Sequence, residues 1–512
     1  MLLELHCHSF IYSSCSFADP CELVSEAAQK GLQGLVFTDH GYQWTKEELE
    51  KLRREHGIDK NFLLFSAQEV NTDFGHIVVY GADKSLPDAY NLADLRRQYP
   101  DAAFVWAHPF RKGFMPSDDK LLSKDIDAIE IFSLNQTLKE NYLGFKAWRR
   151  LKFNAVCGSD AHIAGAAGTF PALFDNPIAS GEDLISEIKK GHCRPFYKEK
   201  QLQDSRCLVT EVIIGAKGNF ERRARMIIKK SNDEKNWNLS KETALAVKNA
   251  LGADFAGKNY RAPKVYEIDD VNRVTMEEGQ HGQQLSKLFL DADIETKKKY
   301  FELSAKWLAK LHSYTIEIKN SDIKEIENKK TEEYKKVFSE NKMKLGVSSR
   351  DLMLDLTEKI NKKQQGCYFH KKEKFVFLHG DYCPENIIIG QDDLNDPDSI
   401  FVSVIDFNNS LNYLKEYDIG YFLAQYQSRF SDDKTLLENL NEDLFLRAYF
   451  GSRKPSPEEI SDIMFFKLRA YLSIVSSLKD DSPQMKFIVS DINATLEKMK
   501  SNLVSLKTLL SC

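Results

Sequence analysis

The chain has 512 residues, of which 42% are hydrophobic and 29% charged, with a formal net charge of -5. That length exceeds one ordinary core and predicts two or three domains, each able to bury its own interior. The acidic balance excludes a general attraction to nucleic acid or to an anionic membrane and leaves open only a local basic groove.

Nine cysteines are odd in number, widely spread and without a Cys-x-x-Cys pair, the usage expected of a reduced cytoplasmic protein. The opening Met1-Leu-Leu-Glu-Leu-His6 lacks a basic segment and meets a carboxylate and an imidazole too early for a secretory signal. No apolar run has the length needed to cross a bilayer.

From residue 1 to about 195, short apolar runs alternate with amphipathic stretches. LLELHCH precedes a helix over 20–30, GLQGLVFTDH precedes one over 46–55, and FLLFSAQEV, FGHIVVYGA, AAFVWAHPF, AIEIF and FNAVCGSDAH follow. This alternation predicts a largely parallel sheet, and seven to eight such strands favour a barrel with function at the C-terminal strand ends.

Seven of the twelve histidines lie in the first 162 residues. His6 and His8 are two apart, so on a strand both face one side while Cys7 faces the other. His40, His76, His108 and His162, with Glu69 and Asp160, also sit near the ends of apolar runs, whereas His56 and His192 lie in polar surroundings. A lone histidine at a strand end is ordinarily a satisfied polar residue. The joint occurrence of His-x-His, Asp-His, Glu, His, His-Pro and Asp-x-His in one repeating pattern is what predicts a multinuclear metal site.

In order, LHCHS, FTDHG, Glu69, GHIVVYG, WAHPF and CGSDAH resemble the motifs of the polymerase and histidinol phosphatase (PHP) domains. The resemblance implies a distorted (β/α)7 barrel holding two or three Zn, Mn or Fe ions. It assigns His6, His8, Glu69 and Asp160 to one ion, with Glu69 bridging to a second held by His76 and His108, and His40 and His162 to a third. In the family, the third ion often has another ligand in the loop after His-x-His, where Ser13-Ser-Cys-Ser16 offers only Cys15.

Two divalent ions about 3.5–4 Å apart lower the pKa of a bridging water and stabilise both oxygens of an in-line displacement at phosphorus. The implied reaction is phosphoester hydrolysis, with Glu69 and Asp160 among the catalytic groups. Arg111 and Lys112, after His108-Pro-Phe110, are candidates to bind a phosphate oxygen; a solvated charged loop is the other reading. Glu130 inside AIEIF reads as a structural or supporting carboxylate.

Beyond Pro195, strands are predicted over 196–203, 207–215 and 224–230, followed by a helix from Leu239 to Leu251. Met226-Ile-Ile-Lys229 resembles the strand lysine of protein kinases, and Glu242 stands where its helix glutamate would. Lys230 is nearly as good a candidate.

His379-Gly-Asp381-x4-Asn386 and the following Asp406-Phe407 resemble the catalytic loop and metal-binding aspartate of the aminoglycoside phosphotransferase and choline kinase-like family. Trp307 to His312, Val274 to Glu278 and Glu416 to Gly420 extend the likeness over about 196–500. It implies that Asp381 takes or orients the acceptor hydroxyl proton, while Asn386 and Asp406 hold Mg²⁺ against ATP. His312 reads as a core residue and Asp418 as a structural anchor of the catalytic loop.

The turn Gln203-Asp-Ser-Arg-Cys207 has no glycine, although backbone amides that cradle phosphates usually need it. Gly215-Ala-Lys-Gly218 is a substitute only if the strands shift by one. The stretch 317–363 mixes Lys and Glu and reads as solvated helices of a kinase insert. Residues 436–510 show the helical periodicity of a closing lobe.

The expected fold is α/β: a PHP-type barrel over 1–195, then a two-lobed kinase-like α+β domain over 196–512, its small lobe 196–280 and large lobe 281–512. The expected function is a bifunctional cytoplasmic enzyme combining metal-dependent phosphoester hydrolysis with ATP-dependent phosphorylation of a small hydroxylated molecule. Two alternatives stay open: a hydrolase regulated by an inactive nucleotide- or metabolite-binding kinase-like half, and a nuclease. The acidic charge argues against a long nucleic-acid partner, and neither substrate is legible.

Overall fold

The computed structural model describes residues 1–86, 90–203, 206–218, 223–252, 255, 257, 259–314, 316–318, 322–341, 345–393, 395–478 and 482–501. Two compact units emerge. The first comprises Met1–Asp204, Leu208–Lys229 and Met276–Gly279; the second comprises Ser205–Cys207, Lys230–Thr275 and Gln280–Cys512.

The first unit begins with β1 (Leu2–Cys7), α1 (Pro20–Gln29), β2 (Gly34–Phe37), α2 (Lys46–His56) and β3 (Leu63–Ser66). Asp19 caps α1 through the Cys21 amide, with Pro20 in the first turn, and Thr45 with Glu48 forms a capping box on α2. Next come β4 (Gln68–Thr72), β5 (Gly75–Tyr80), α3 (Leu92–Gln98), β6 (Ala103–Trp106) and α4 (Asp118–Leu121). The series continues with β7 (Ala128–Phe132), α5 (Leu138–Leu151), β8 (Ala155–Cys157), β9 (Ala172–Phe174), α6 (Gly181–Lys190) and β10 (Cys193–Pro195).

These strands form two five-stranded sheets, ordered β10-β9-β1-β2-β3 and β4-β5-β6-β7-β8, and not the single closed ladder expected from the sequence. The apolar run FLLFSAQEV breaks at Ala67 into β3 and β4, so one expected strand serves both sheets. The turn between β4 and β5 holds only Asp73 and Phe74, too short for a crossover, which makes the pair antiparallel. Parallel pairing is confined to β1-β2-β3 and β6-β7-β8. Isolated bridges join His40 to Glu69 and Cys7 to Ala161, where the strands run out. One apolar core joins Leu5 and Val36 to Val78, Val105 and Val156, drawing on both sheets.

Three further strands follow: β11 (Tyr197–Gln203), β12 (Cys207–Ile214) and β13 (Ala224–Ser231). β11 and β12 pair antiparallel from Tyr197↔Ile214 to Gln203↔Leu208. In the glycine-free turn, Asp204 and Ser205 lie outside the described residues. The alternative phosphate loop is engaged otherwise: the Gly215 amide donates to the Phe196 carbonyl at 3.1 Å and the Ala216 amide to Thr169 at 2.9 Å.

The second unit carries α7 (Glu234–Ala246), β14 (Tyr260–Arg261) and β15 (Val265–Asp269); β16 (Val274–Glu278) runs across the division. Then come β17 (Gln283–Gln284), α8 (Leu285–Asp291), α9 (Ile294–Leu311), α10 (Ile323–Glu340) and α11 (Val347–Gly366). Four short strands follow, β18 (Phe375–Leu378), β19 (Ile387–Gln391), β20 (Ile400–Val404) and β21 (Leu411–Leu414). The helices α12 (Glu416–Arg429), α13 (Lys434–Asn439), α14 (Glu442–Phe450), α15 (Pro457–Val475) and α16 (Pro483–Ser501) complete the unit.

α12 and α15 pack at Gly420, where an added Cβ would stand 2.6 Å from the Lys467 amide nitrogen. Only a residue without a side chain allows that approach. None of the described helices is long and apolar enough to cross a membrane.

The lysine- and glutamate-rich stretch forms α10 and α11, and these are not merely solvated. Ile323, Glu327, Thr331, Tyr334 and Phe338 bury one face of α10, and Met353, Leu356, Ile360 and Gln364 bury one face of α11. Helical spacing places these residues together although charge dominates the local composition. Within that face, Glu327 accepts from Arg469 Nε at 2.9 Å and Nη2 at 2.6 Å, and from Gln364 Nε2 at 2.9 Å. Burial disfavours the Glu327 anion, but Arg469 outweighs it and holds the carboxyl down to about 2.

Removing one member of such a pair strands the other charge in the interior, at a cost of about 3–5 kcal/mol. Arg469→Met is expected to lower the second unit's unfolding midpoint in urea sharply, whereas adding Glu327→Met recovers most of the loss. Denaturation curves of the two variants check this.

Candidate functional site

Glu69, on β4 and 1% exposed, stands among five imidazoles. Its Oε2 is 3.5 Å from His6 Nε2, 3.2 Å from His8 Nε2 and 3.3 Å from His40 Nδ1. Its Oε1 is 2.6 Å from His76 Nδ1 and 3.2 Å from His108 Nε2. Asp160 approaches from the loop after β8, with Oδ1 3.4 Å from His6 and 3.2 Å from His8.

The donor atoms converge in three groups: His6, His8, Glu69 and Asp160; Glu69, His76 and His108; and His8, His40 and His162. Cys15 is exposed and belongs to none of these groups among the described residues.

Electrostatics binds the cluster together. Burial opposes the Glu69 anion, yet His6 and the hydrogen bonds from His108, His6 and His76 hold its carboxyl well below the usual range. Burial likewise opposes ionisation of Asp160, and His6 and His8 reverse it. Burial pulls the His8 imidazole down, but Asp160 and Glu69 push it up to about 9. His40 and His162 are lowered, chiefly by burial, and are the groups most easily kept neutral.

A positive species suits this donor set. The Nε2 atoms of His6 and His8 lie 3.1 Å apart, and both oxygens of Asp160 are buried without a well-formed hydrogen bond. Two lone-pair nitrogens and two carboxylates aimed at one point are a ligand set for a divalent ion. Around it, supporting contacts orient the rings: His6 Nδ1 meets Glu130 Oε2 at 2.8 Å, which leaves Nε2 free to face the cluster.

Asp39 accepts from the Ser9 amide at 2.7 Å, Ser13 Oγ at 2.6 Å and Trp44 Nε1 at 2.7 Å, fixing the loop beside His40. Glu4 accepts from the amides of His6, Ser159 and Gly168 and so ties β1 to the Asp160 loop.

His108 (φ 32°) and Asp160 (φ 48°) adopt left-handed backbone that non-glycine residues avoid. Such strain persists where surrounding contacts over-determine it. Arg111 and Lys112 form an exposed turn just past His108. His56 ends α2, and His192 meets Glu187 at 3.1 Å.

In the second unit, the loop after β18 holds His379, Gly380 and Asp381. The amides of His379 and Gly380 donate to the Asp418 carboxylate at 2.8 and 2.9 Å. His312 lies between Asp418, at 3.2 Å, and the Tyr449 hydroxyl, at 2.8 Å, so it braces that anchor.

Asn386 Nδ2 donates to the Asp381 carbonyl at 2.9 Å and to its Oδ2 at 3.3 Å, and Tyr421 OH donates to Oδ1 at 2.8 Å. Asp406 follows β20 with φ 66°, and His379 Nε2 donates to the adjacent Ile405 carbonyl at 3.0 Å. Asp381, Asn386 and Asp406 are thus assembled on one loop system. Lys229 lies on β13 and pairs with Glu277 of β16 at 2.8 Å; Glu242 lies on α7.

Residues 262–500 match the family model described as choline/ethanolamine kinase, and residues 139–193 match one described as PHP-associated. The C-terminal part of the chain therefore resembles choline/ethanolamine kinases, and a PHP-associated region precedes it. No curated protein matches.

Among solved structures, an ethanolamine kinase from Plasmodium vivax is 18% identical, covering 63% of this chain and 86% of its own, with a TM-score of 0.37. A choline/ethanolamine kinase family protein from Mesorhizobium loti is 14% identical over 61% and 92%, with a TM-score of 0.38. PsfC from Pseudomonas syringae is 17% identical over 38% of this chain and 91% of its own, with a TM-score of 0.31.

Glu130 was read from the sequence as a supporting carboxylate, and its contact with His6 spans 124 residues. Loss of a partner that orients a metal-ligating imidazole typically lowers metal affinity about 10–100-fold. Glu130→Gln is expected to weaken Mn²⁺ or Zn²⁺ binding by that order while the fold stays intact, as read by metal titration alongside circular dichroism.

Proposed function

We propose that the chain is a bifunctional enzyme, with a metal-dependent phosphoester hydrolase in its first unit and an ATP-dependent kinase of a small hydroxylated molecule in its C-terminal part. The convergence of His6, His8, Glu69 and Asp160 beside Glu69, His76 and His108 carries the hydrolase reading. It extends to a PHP-type barrel, whose sheets here are linked by single bridges at the site.

His6, His8, Glu69 and Asp160 would hold one divalent ion, Glu69 would bridge to a second held by His76 and His108, and His8, His40 and His162 form the set for a third. When bound, such ions supply an activated water and charge neutralisation at phosphorus. The protein's own groups would hold the substrate: Arg111, exposed in the turn that follows His108, is the residue proposed to bind a phosphate oxygen. Glu130 keeps His6 in the tautomer that offers Nε2.

For the kinase, the match over 262–500 and the Asp381, Asn386 and Asp406 assembly support small-molecule phosphorylation. The acceptor oxygen attacks the γ-phosphorus of ATP, its proton passes to Asp381, and ADP leaves. Tyr421 and Asn386 hold the two Asp381 oxygens in place for that transfer. Asn386 and Asp406 would hold the Mg²⁺ that screens the phosphates. Lys229 and Glu242 are the residues proposed to position ATP.

A second reading has a specific observation behind it: the amides of Gly215 and Ala216 already donate to carbonyls and are not offered to phosphate. In that reading the kinase-like part binds a nucleotide or metabolite without transfer and regulates the hydrolase.

His108→Ala protein, incubated with Mg-ATP and a cell metabolite extract, is expected to accumulate a new phosphorylated species visible by mass spectrometry. The species disappears when Asp381→Ala is added, since a positioned general base contributes about 10²–10⁴-fold. The same species, offered to intact protein loaded with Mn²⁺ or Zn²⁺, tests whether the first unit hydrolyses it. ATP binding without any product favours the regulatory reading, and cleavage of oligonucleotides in place of phosphomonoesters favours a nuclease.

A further inference from the structure

The three donor groups of the first unit are not independent. His8 belongs to two of them, once with His6, Glu69 and Asp160 and again with His40 and His162. A neutral imidazole has one nitrogen lone pair to give, so the state of the His8 ring decides which group it completes.

Ser13 sets that state. Its hydroxyl lies 2.6 Å from Asp39 Oδ1 and 3.3 Å from His8 Nδ1, and it accepts from the His40 amide at 3.1 Å. Asp39 also takes hydrogen bonds from the Ser9 amide at 2.7 Å, the Ser9 hydroxyl at 2.8 Å and Trp44 Nε1 at 2.7 Å. Ser13 has a single proton, and the carboxylate is the closer and stronger acceptor for it. The Ser13 oxygen is left to accept from His8 Nδ1–H and from the His40 amide. Ser13, Asp39 and His8 are all buried, so water does not compete for these bonds. His8 therefore offers Nε2, which stands 3.2 Å from both Glu69 Oε2 and Asp160 Oδ1.

That gives the His8 lone pair to the first group. What remains of the third is His40 and His162, two imidazoles without a carboxylate, while Glu69 and Asp160 serve the other groups. Cys15 is exposed and joins no group among the described residues. A protein-bound catalytic ion ordinarily takes three protein ligands. A third divalent ion here would have two, and it would stand beside two other cations with no anion of its own to offset their repulsion. The two imidazoles are reached from solvent: their side chains are 32% and 27% exposed, against 0% for His8.

We propose that the centre keeps two resident ions, and that its third position fills only when an incoming phosphate supplies the missing oxygen ligands. This rests on the reading of the first unit as a metal-dependent phosphoester hydrolase and departs from its three-ion form at one place, the hold of Ser13 on His8. A phosphate brings both the donors and the negative charge that His40 and His162 lack.

Metal content tests the proposal. Full-length Asp406→Ala protein, chosen to silence the metal site proposed in the C-terminal part, is dialysed against Mn²⁺ with either inorganic phosphate or chloride. The ions retained per chain are then counted by inductively coupled plasma mass spectrometry. Two in chloride and three in phosphate are expected. His40→Ala and His162→Ala, each added to that protein, are expected to retain two in both solutions; both positions are partly exposed, and circular dichroism checks the fold. Three ions in chloride, two in phosphate, or a phosphate-dependent ion that persists in either histidine variant overturns the proposal. Fewer than two in either solution is a different result, which removes the binuclear centre and the hydrolase reading together with this inference.

The hold of Ser13 on His8 is read separately. In crystals of the Mn²⁺-loaded wild-type protein, His8 is expected to meet the ion through Nε2 with Nδ1 still on Ser13 Oγ; ligation through Nδ1 overturns the proposal. Ser13→Ala is expected to weaken binding of the first ion about 10–100-fold, the scale of a lost partner to a metal-ligating imidazole. An unchanged affinity in that variant counts against the proposal as well.

Discussion

One buried carboxylate organises the first unit. Glu69 lies within 3.5 Å of His6, His8, His40, His76 and His108, which arrive from the ends of four strands, β1, β2, β5 and β6. A carboxylate that far from water is unstable unless positive charge surrounds it, and these imidazoles provide it as protons or as ligands of a shared cation. The need to bring them together accounts for several departures from regular structure: the ladder that breaks into two sheets, the isolated bridge between His40 and Glu69, and the left-handed backbone at His108 and Asp160. Regular pairing stops where the polar groups must turn inward.

The second unit solves a related problem with amides. Asp418 is fully buried and holds the loop of His379, Gly380 and Asp381 through the His379 and Gly380 amides, with His312 and Tyr449 behind it. Gly380 has φ 80° and lies where an added Cβ would stand 2.0 Å from the Asn409 carbonyl. The loop thus depends on a glycine for its path and on an aspartate for its height. Asp381 itself needs no burial, because Tyr421 and Asn386 each hold one of its oxygens.

Local spacing made much of this legible. His6 and His8 face one side because strands repeat every two residues, and the strand-end positions of His40, His76, His108, Asp160 and His162 are visible as polar residues closing apolar runs. The contacts that support them are not local. Glu130 reaches His6 across 124 residues, and Arg469 reaches Glu327 across 142. Alternation suggests a largely parallel, closed ladder, and the structure departs from it at one place: the break at Ala67 hides inside an apolar run, although the two-residue turn before Gly75 already demands antiparallel strands. In α10, charge obscured a buried face that the spacing of Ile323, Glu327, Thr331, Tyr334 and Phe338 would have shown.

The β4–β5 hairpin also sets an order of assembly. Glu69 faces Val78 and Asn71 faces His76 across it, so Glu69 and His76 are diagonal neighbours on one face, only seven residues apart in the chain. Closing that contact constrains a much shorter loop than joining His6 to Glu130, a difference of roughly 2–3 kcal/mol in chain entropy. Short-range pairs of this kind form early, and distant ones wait for the chain to collapse. The nascent chain therefore holds two of the three residues of the Glu69, His76 and His108 group, already paired in one hairpin, before β8 and the Asp160 loop have been synthesised.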